Sequence, residues 1–493
     1  MLLILPLVLY FSYFPVIGLG SNESMNFELS LPLLWLVVFG AISCLMILKK
    51  KDLIKDLKQG WMWLMFPVWL SLSVIWSVNS LRGILTVGIL WLIVLAVYAM
   101  WKFRDLYDDR FKARFLKWFF GTSLIMCGWY VLQCVLDLAG VSREYSLMCE
   151  GCTYEMFGFP HPNGMAIEPQ FMGNLLIAPT IISGWLMLCS RPRPAGPFAF
   201  GNSRPKGRAA RAAGAKSRAA ALRNAVSLKH YAILIFIFAS VLFLTFSRGA
   251  IYAFGVGMVF LSVFFLVREK KKLSNALKRL GVVWGVIVLS FLFTLNVQGV
   301  MAEISPTNEG YKDGVARVLN HLSLGVIDIR EETLEENTIE EEDKEIGEEF
   351  EQNNSSAFDG YVPESTDTRV RLTSAAIKIW SMDLKTMFFG VGLGGAGQAL
   401  YDNDLSPAPK EIIQNQYASL LLEMGLIGVS LLIWLIIVLI RKVIRYSDSL
   451  LILTLLVIYG ITLCFFAGLP NALHIYLLTG LFIPLFGNNW CHK

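Results

Sequence analysis

Apolar residues in this chain gather into long runs separated by polar or glycine-rich breaks, and within the runs no alternation of period two appears. A helix crossing about 30 Å of hydrocarbon needs roughly 20 apolar residues. Runs of about that length occupy 1–19, 30–48, 61–77, 82–100, 115–137, 166–190, 229–246, 249–267, 280–298, 417–440, 449–467 and 470–487. The pattern predicts an all-α polytopic membrane protein of about twelve transmembrane helices, with one large extracytoplasmic loop between helices nine and ten. The first run has no basic leading segment and no clear small-residue cleavage site, so it is expected to be a retained helix and not a signal peptide.

Lysine and arginine set the orientation. Basic clusters fall at Lys49–Lys58, Lys102–Lys117, Arg191–Lys229, Arg268–Arg279 and Arg441–Arg445, all in alternate loops of the twelve-helix scheme. Placing those loops in the cytoplasm puts both termini there. Three regions follow: 1–298 with helices one to nine and their basic loops, 299–413 as the large outer loop, and 414–493 with helices ten to twelve. Asp328–Glu351, inside that loop, is densely acidic and reads as a solvated or disordered insert.

Composition agrees with the membrane class: 55% of the 493 residues are hydrophobic, 16% are charged, and mean hydropathy is +0.56. The formal charge of +5 therefore belongs to the positive-inside loops beside anionic lipid, and nucleic acid is not expected as a partner. Of eight cysteines, Cys44, Cys127, Cys134, Cys189 and Cys464 lie in or at the ends of apolar runs, as small hydrophobes. Cys149 and Cys152 face the expected exterior, where a CxxC pair closes a small disulfide or stays as two idle thiols. A zinc site would need two more ligands and finds only His161 nearby, so no metal is expected.

Three outward segments carry candidate chemistry. Residues 245–250, Thr-Phe-Ser-Arg-Gly-Ala, place Arg248 between two apolar runs, where a cation calls for an anion. Residues 366–397 run from Thr-Asp-Thr-Arg369-Val-Arg371-Leu to Gly390-Val-Gly-Leu-Gly-Gly-Ala-Gly397, and 414–428 read Gln-Asn-Gln-Tyr-Ala-Ser-Leu-Leu-Leu-Glu-Met-Gly-Leu-Ile-Gly. Each also has a plain reading: an arginine at a helix end snorkels to the interface, Arg369 and Arg371 pair with the acidic insert, and the glycine run makes a tight bend.

In this order and on this face, the three segments resemble the O-antigen ligase and Wzy polymerase family, and Glu168-Pro169 after Gly158-Phe-Pro resembles polymerase-like members. The resemblance implies a GT-C type glycosyltransferase without metal or cofactor, in the bacterial plasma membrane. Its donor would be a glycan on an undecaprenyl-pyrophosphate carrier, and its acceptor a glycan, lipid or protein hydroxyl. The departing group is then a lipid diphosphate, which arginine holds with paired hydrogen bonds while staying charged at any relevant pH. On this reading Arg248 and Arg371 are the catalytic arginines, with Arg369 as an alternative, and Glu168, Asn415, Tyr417 and Glu423 border the substrates.

The chain departs from the family where a histidine usually opens the last motif. Gln414 stands there, and an amide orients a hydroxyl without taking its proton near neutral pH. Glu168, Glu423, His161, His321 and His474 are the remaining candidates for a base. Without that histidine, polymerisation of repeat units is favoured over ligation. A lipid-linked glycan flippase and a peptidoglycan polymerase of the shape, elongation and division type share the topology and stay open. The orientation is testable in intact cells with a membrane-impermeant maleimide: a cysteine from Asn308→Cys should be labelled, and one from Ala212→Cys should not.

Overall fold

A computed structural model of the protein describes all residues except 13–15, 23–24, 50–52, 150–151, 155–159, 190–227, 306–309, 324–356, 410, 447–448, 470 and 488–493. The basic loop after residue 190 and the acidic insert lie outside the described residues. Eleven of the twelve expected runs are helices: α2 (Leu31–Leu48), α3 (Leu53–Ser73), α4 (Ser80–Lys102), α5 (Asp109–Leu138), α6 (Pro169–Cys189), α7 (Leu228–Leu244), α8 (Arg248–Arg268), α9 (Leu273–Ile304), α14 (Gln416–Val443), α15 (Ser449–Thr462) and α16 (Leu473–Phe486). The architecture is all-α, as the hydrophobic runs predict.

The first run is the exception. It forms a six-residue helix, α1 (Leu5–Tyr10), and then one antiparallel hairpin of β1 (Val16–Asn22) and β2 (Met25–Ser30), with Val16 opposite Ser30 and Asn22 opposite Met25. Pro6 is tolerated in the first helical turn. Pro15 would remove a hydrogen bond from a helix interior, and Gly18 and Gly20 further disfavour helix there.

Helix α6 is the axis of the bundle. It is apolar on every side, 94% of its hydrophobic window is buried, and it packs against α1, α5, α8, α9 and α15. Outer helices leave large apolar side chains open, such as Ile125, Val259 and Leu289, the surface that lipid covers.

Residues after the acidic insert fold back onto the bundle. Leu372, Ala375, Ala376 and Ile379 of α11 (Ala357–Trp380) pack with Leu400 of α13 (Ala396–Asp402), Ile413 and Leu422. Between them lie α12 (Leu384–Phe389) and the glycine run. Earlier, α10 (Tyr311–Leu322) lies against α9, so close that a Cβ on Gly314 would sit 2.6 Å from the Ala302 Cβ.

Helix α14 is broken at Gly425, whose φ is 60° and ψ −168°. The break turns the carbonyls of Leu422 and Glu423 away from the helical ladder, and they accept from the amides of Val391 and Gly392, each at 2.9 Å. The glycine run is thus stitched to the broken helix by its backbone. Gly390 (φ 73°) and Gly425 face this contact from opposite sides: a Cβ on Gly390 would meet the Glu423 carbonyl at 2.4 Å, and one on Gly425 the Phe388 carbonyl at 2.4 Å. A left-handed backbone costs roughly 1–2 kcal/mol for a residue with a Cβ, and here the backbones must also separate. Gly425→Ala and Gly390→Ala should lower the thermal unfolding midpoint in nanodiscs. Gly88→Ala, with no atom near its added Cβ, should leave it unchanged.

Candidate functional site

The joint between α7 and α8 is a three-residue turn, Thr245-Phe246-Ser247. Thr245 donates through Oγ1 to the Leu242 carbonyl at 2.7 Å, and Ser247 caps α8 by accepting from the Ala250 amide. Phe246 is held at φ 47°, in the left-handed region. Two histidines from separate loops meet this turn. His161 Nε2 lies 2.7 Å from the Thr245 carbonyl, and His321 Nε2, at the end of α10, lies 2.9 Å from the Phe246 carbonyl. A carbonyl oxygen can only accept, so both rings carry their proton on Nε2, and Nδ1 is the basic nitrogen of the neutral ring. The Phe246 ring lies between them, with centroids 5.8 Å from His161 and 5.9 Å from His321.

His161 is placed by a well-anchored loop. Cys149 and Cys152 are joined by a disulfide, and the His161 amide donates to the Cys152 carbonyl at 3.1 Å. Buried Gln133 donates to the carbonyls of Ser146 and Gly164, and Asn163 accepts from the Cys149 amide. The start of α6 then presses on the turn: a Cβ on Gly173 would lie 2.9 Å from Thr245 Oγ1 and 3.1 Å from the Ser247 Cβ.

Arg248, the first residue of α8, is buried at 8% exposure. It lies within electrostatic reach of His321, and so do Arg369 and His161; Arg369 in turn acts on Glu168. Burial pushes the His161 ring down to about 4. His321 falls to about 3, through burial first and then the charge of Arg248. Both are neutral at ordinary pH. The Glu168 carboxyl is pushed up by its protein surroundings, against the pull of Arg369. Its side chain keeps open surface.

The structure therefore gathers Arg248, Arg369, Glu168, His161 and His321 at one end of the bundle. Arg371 takes a different position: residues two apart on a helix lie roughly 200° apart. Arg369 shares the face of Leu372, Ala376 and Ile379, which are buried, whereas Arg371 is exposed.

The start of α14 forms a second grouping. Asn415 is the helix N-cap, its Oδ1 accepting from the Tyr417 and Ala418 amides at 3.1 and 3.2 Å. The Tyr417 hydroxyl donates to the Gly460 carbonyl at 2.7 Å. Gln414 Oε1 is buried without a hydrogen bond among the described residues. Glu423 accepts from the Gly394 amide at 3.1 Å and lines an open cleft with Arg82, Thr86, Glu411, Gln416 and Ser419. Arg82 was missed in the sequence reading, although it carries the signal that singles out Arg248, a lone cation heading an apolar run.

Residues 233–433 match the family model described as O-antigen ligase. That stretch runs from α7 into α14 and holds all three motifs, 245–250, 366–397 and 414–428. No curated protein and no solved structure matches the chain.

Both histidines are less basic folded than unfolded, where the ordinary value is 6.5. Between pH 6.5 and about 4 the unfolded chain therefore binds more protons, and stability falls as pH drops through that window. The unfolding midpoint should decrease from pH 7.5 to 5. The decrease should be smaller in His321→Gln, which removes one titrating ring.

Proposed function

We propose, for a membrane protein that belongs over residues 233–433 to the O-antigen ligase family, that it transfers glycan from an undecaprenyl-diphosphate carrier to a hydroxyl acceptor on the outer face of the bacterial plasma membrane. Repeat-unit polymerisation is the favoured form of the reaction. The observation that carries this reading is the meeting of Arg248 and Arg369, from distant parts of the chain, beside two neutral histidines and one carboxylate.

The chemistry follows from charge. An acceptor oxygen forms a bond to the anomeric carbon, and the bond from that carbon to the diphosphate oxygen breaks with its electron pair staying on the diphosphate. Arg248 and Arg369 stabilise that growing negative charge in surroundings drier than water, where a fixed donor acts most strongly. The guanidinium pair supplies the positive charge that a divalent cation supplies in other phosphate sites, so the step calls for neither metal nor cofactor. His161 and His321, being neutral, hold the turn without repelling Arg248.

The acceptor must also lose its proton. Glu168 is the group suited to take it: its protein surroundings make its carboxylate more basic than usual, against the pull of Arg369. Gln414 has a buried amide oxygen with no hydrogen-bond partner among the described residues, an acceptor for a hydroxyl that reaches it, and Asn415 and Tyr417 fix the helix end that follows it.

Purified protein in nanodiscs, given a carrier-linked repeat unit, should produce longer glycans. Movement of the unit between leaflets without new glycosidic bonds would instead make it a flippase. Arg248→Ala and Arg369→Ala should each lower the transfer rate about 100-fold or more, the usual loss for one stabilising donor, with Arg371→Ala within a few-fold of the parent. Full activity in both of the first two variants would remove the mechanism.

A further inference from the structure

The cleft beside the broken helix has a chemistry unlike that of the Arg248 end. Its lining holds one cation, Arg82, against two carboxylates, Glu411 and Glu423, together with the hydroxyls of Thr86 and Ser419 and the amide of Gln416. Its empty space is about 430 Å³ with open solvent included, and Ile412, Ile413 and Leu469 supply apolar surface. A diphosphate would meet more negative than positive charge here. A pyranose ring suits the same lining well. Its hydroxyls both donate and accept, so they can satisfy carboxylate, amide and guanidinium together, while its C–H face covers the apolar patches.

The cleft is also built on fixed parts. Glu423 is held by the Gly394 amide, and the charge of Arg82 acts on it directly. Thr86 donates to the Arg82 carbonyl at 2.8 Å, and buried Gln416 accepts from the Gly468 amide.

One loop connects the cleft to the arginine cluster. Residues 463–469, between α15 and α16, contribute Ala467 and Leu469 to the cleft lining. The same loop sets Phe465 against Gly249, where a Cβ would lie 2.7 Å from the Phe465 Cβ, and the Phe465 carbonyl accepts from Gln170 Nε2 at 2.7 Å. The cleft and Arg248 are therefore on opposite sides of a single loop.

We propose that this cleft is the acceptor-sugar site: Arg82, Glu411, Gln416, Ser419 and Glu423 hold the hydroxyls of a terminal sugar, while the Arg248 cluster receives the carrier diphosphate across the 463–469 loop. The assignment rests on the transferase reading above and adds to it a separate saccharide subsite. The sugar can arrive on a second carrier lipid or on a lipid-anchored core glycan, since both present the same hydroxyl chemistry.

The probe is a soluble, fluorescently tagged oligosaccharide released by mild acid from the host's carrier-linked glycan. It is titrated against the full-length protein in nanodiscs and followed by anisotropy. Parent protein should bind it. Glu411→Gln and Ser419→Ala, two independent changes in the lining, should each weaken binding about tenfold, and Arg248→Ala should stay within twofold. No binding by the parent, cleft variants that bind like the parent, or an equal loss in Arg248→Ala would each overturn the assignment. Untagged carrier-linked glycan and lipid-anchored core glycan are then added as competitors. Displacement by either identifies the source of the sugar, and displacement by neither counts against the site. In transfer assays the cleft variants should raise the acceptor KM about tenfold with little change in kcat or in the donor KM. Binding that behaves as expected in a protein that forms no glycosidic bond would sink the transferase reading and leave the saccharide site standing.

Discussion

A guanidinium group that must stay charged at the end of an apolar bundle is the constraint around which this structure is arranged. Arg248 is almost fully buried, and a cation in such a place is costly without polar company. The two histidines at the turn supply part of that company without adding positive charge. His161 and His321 are kept neutral by burial, and they donate to the two carbonyls that the left-handed turn at Phe246 leaves outside a helical ladder. A lysine at either place would have added a further cation beside Arg248 and Arg369. The neutral rings satisfy the turn without adding charge beside Arg248.

Backbone contact joins side-chain packing in tying the residues after the acidic insert to the helices of the bundle. Because α14 breaks at Gly425, two carbonyls become free to accept from the glycine run, and the run can approach only because Gly390 and Gly425 lack a Cβ. A broken helix near a polar cleft recurs where membrane proteins bind substrates, since freed backbone groups must line either protein or a cavity. Here both happen: the carbonyls of Leu422 and Glu423 take protein partners, and the Glu423 side chain borders the cleft.

Most helices were legible because length and hydropathy alone decide them; eleven of the expected runs appear as helices with ends shifted by up to eight residues. The first run misled because hydropathy ignores Pro15 and the glycines that follow it. Arg369 and Arg371 were not separable by charge. The phase of α11 separates them, and that phase was readable in Leu372, Ala376 and Ile379, which recur at helical spacing. Asn415 just ahead of an apolar run also fits a capping residue, and its side chain caps α14. The break at Gly425 could not be read, since a lone glycine is commonly tolerated within a helix and the partner that stabilises the break comes from residues 388–392.

The 463–469 loop makes the two polar groupings mechanically dependent. Gly249 and Gly468 are the points of contact: the first has no room between Arg248's own helix and Phe465, and the second none beside Gln416. Neither side can shift outward without moving the loop, because close-packed interiors transmit displacement over short distances instead of absorbing it. A glycan transferase must bring an anomeric carbon and an acceptor oxygen to within bonding approach, and small misplacements of either are costly in rate. On the proposed reading, the shared, tightly seated loop between the Arg248 cluster and the cleft supplies that registration from the protein's own backbone.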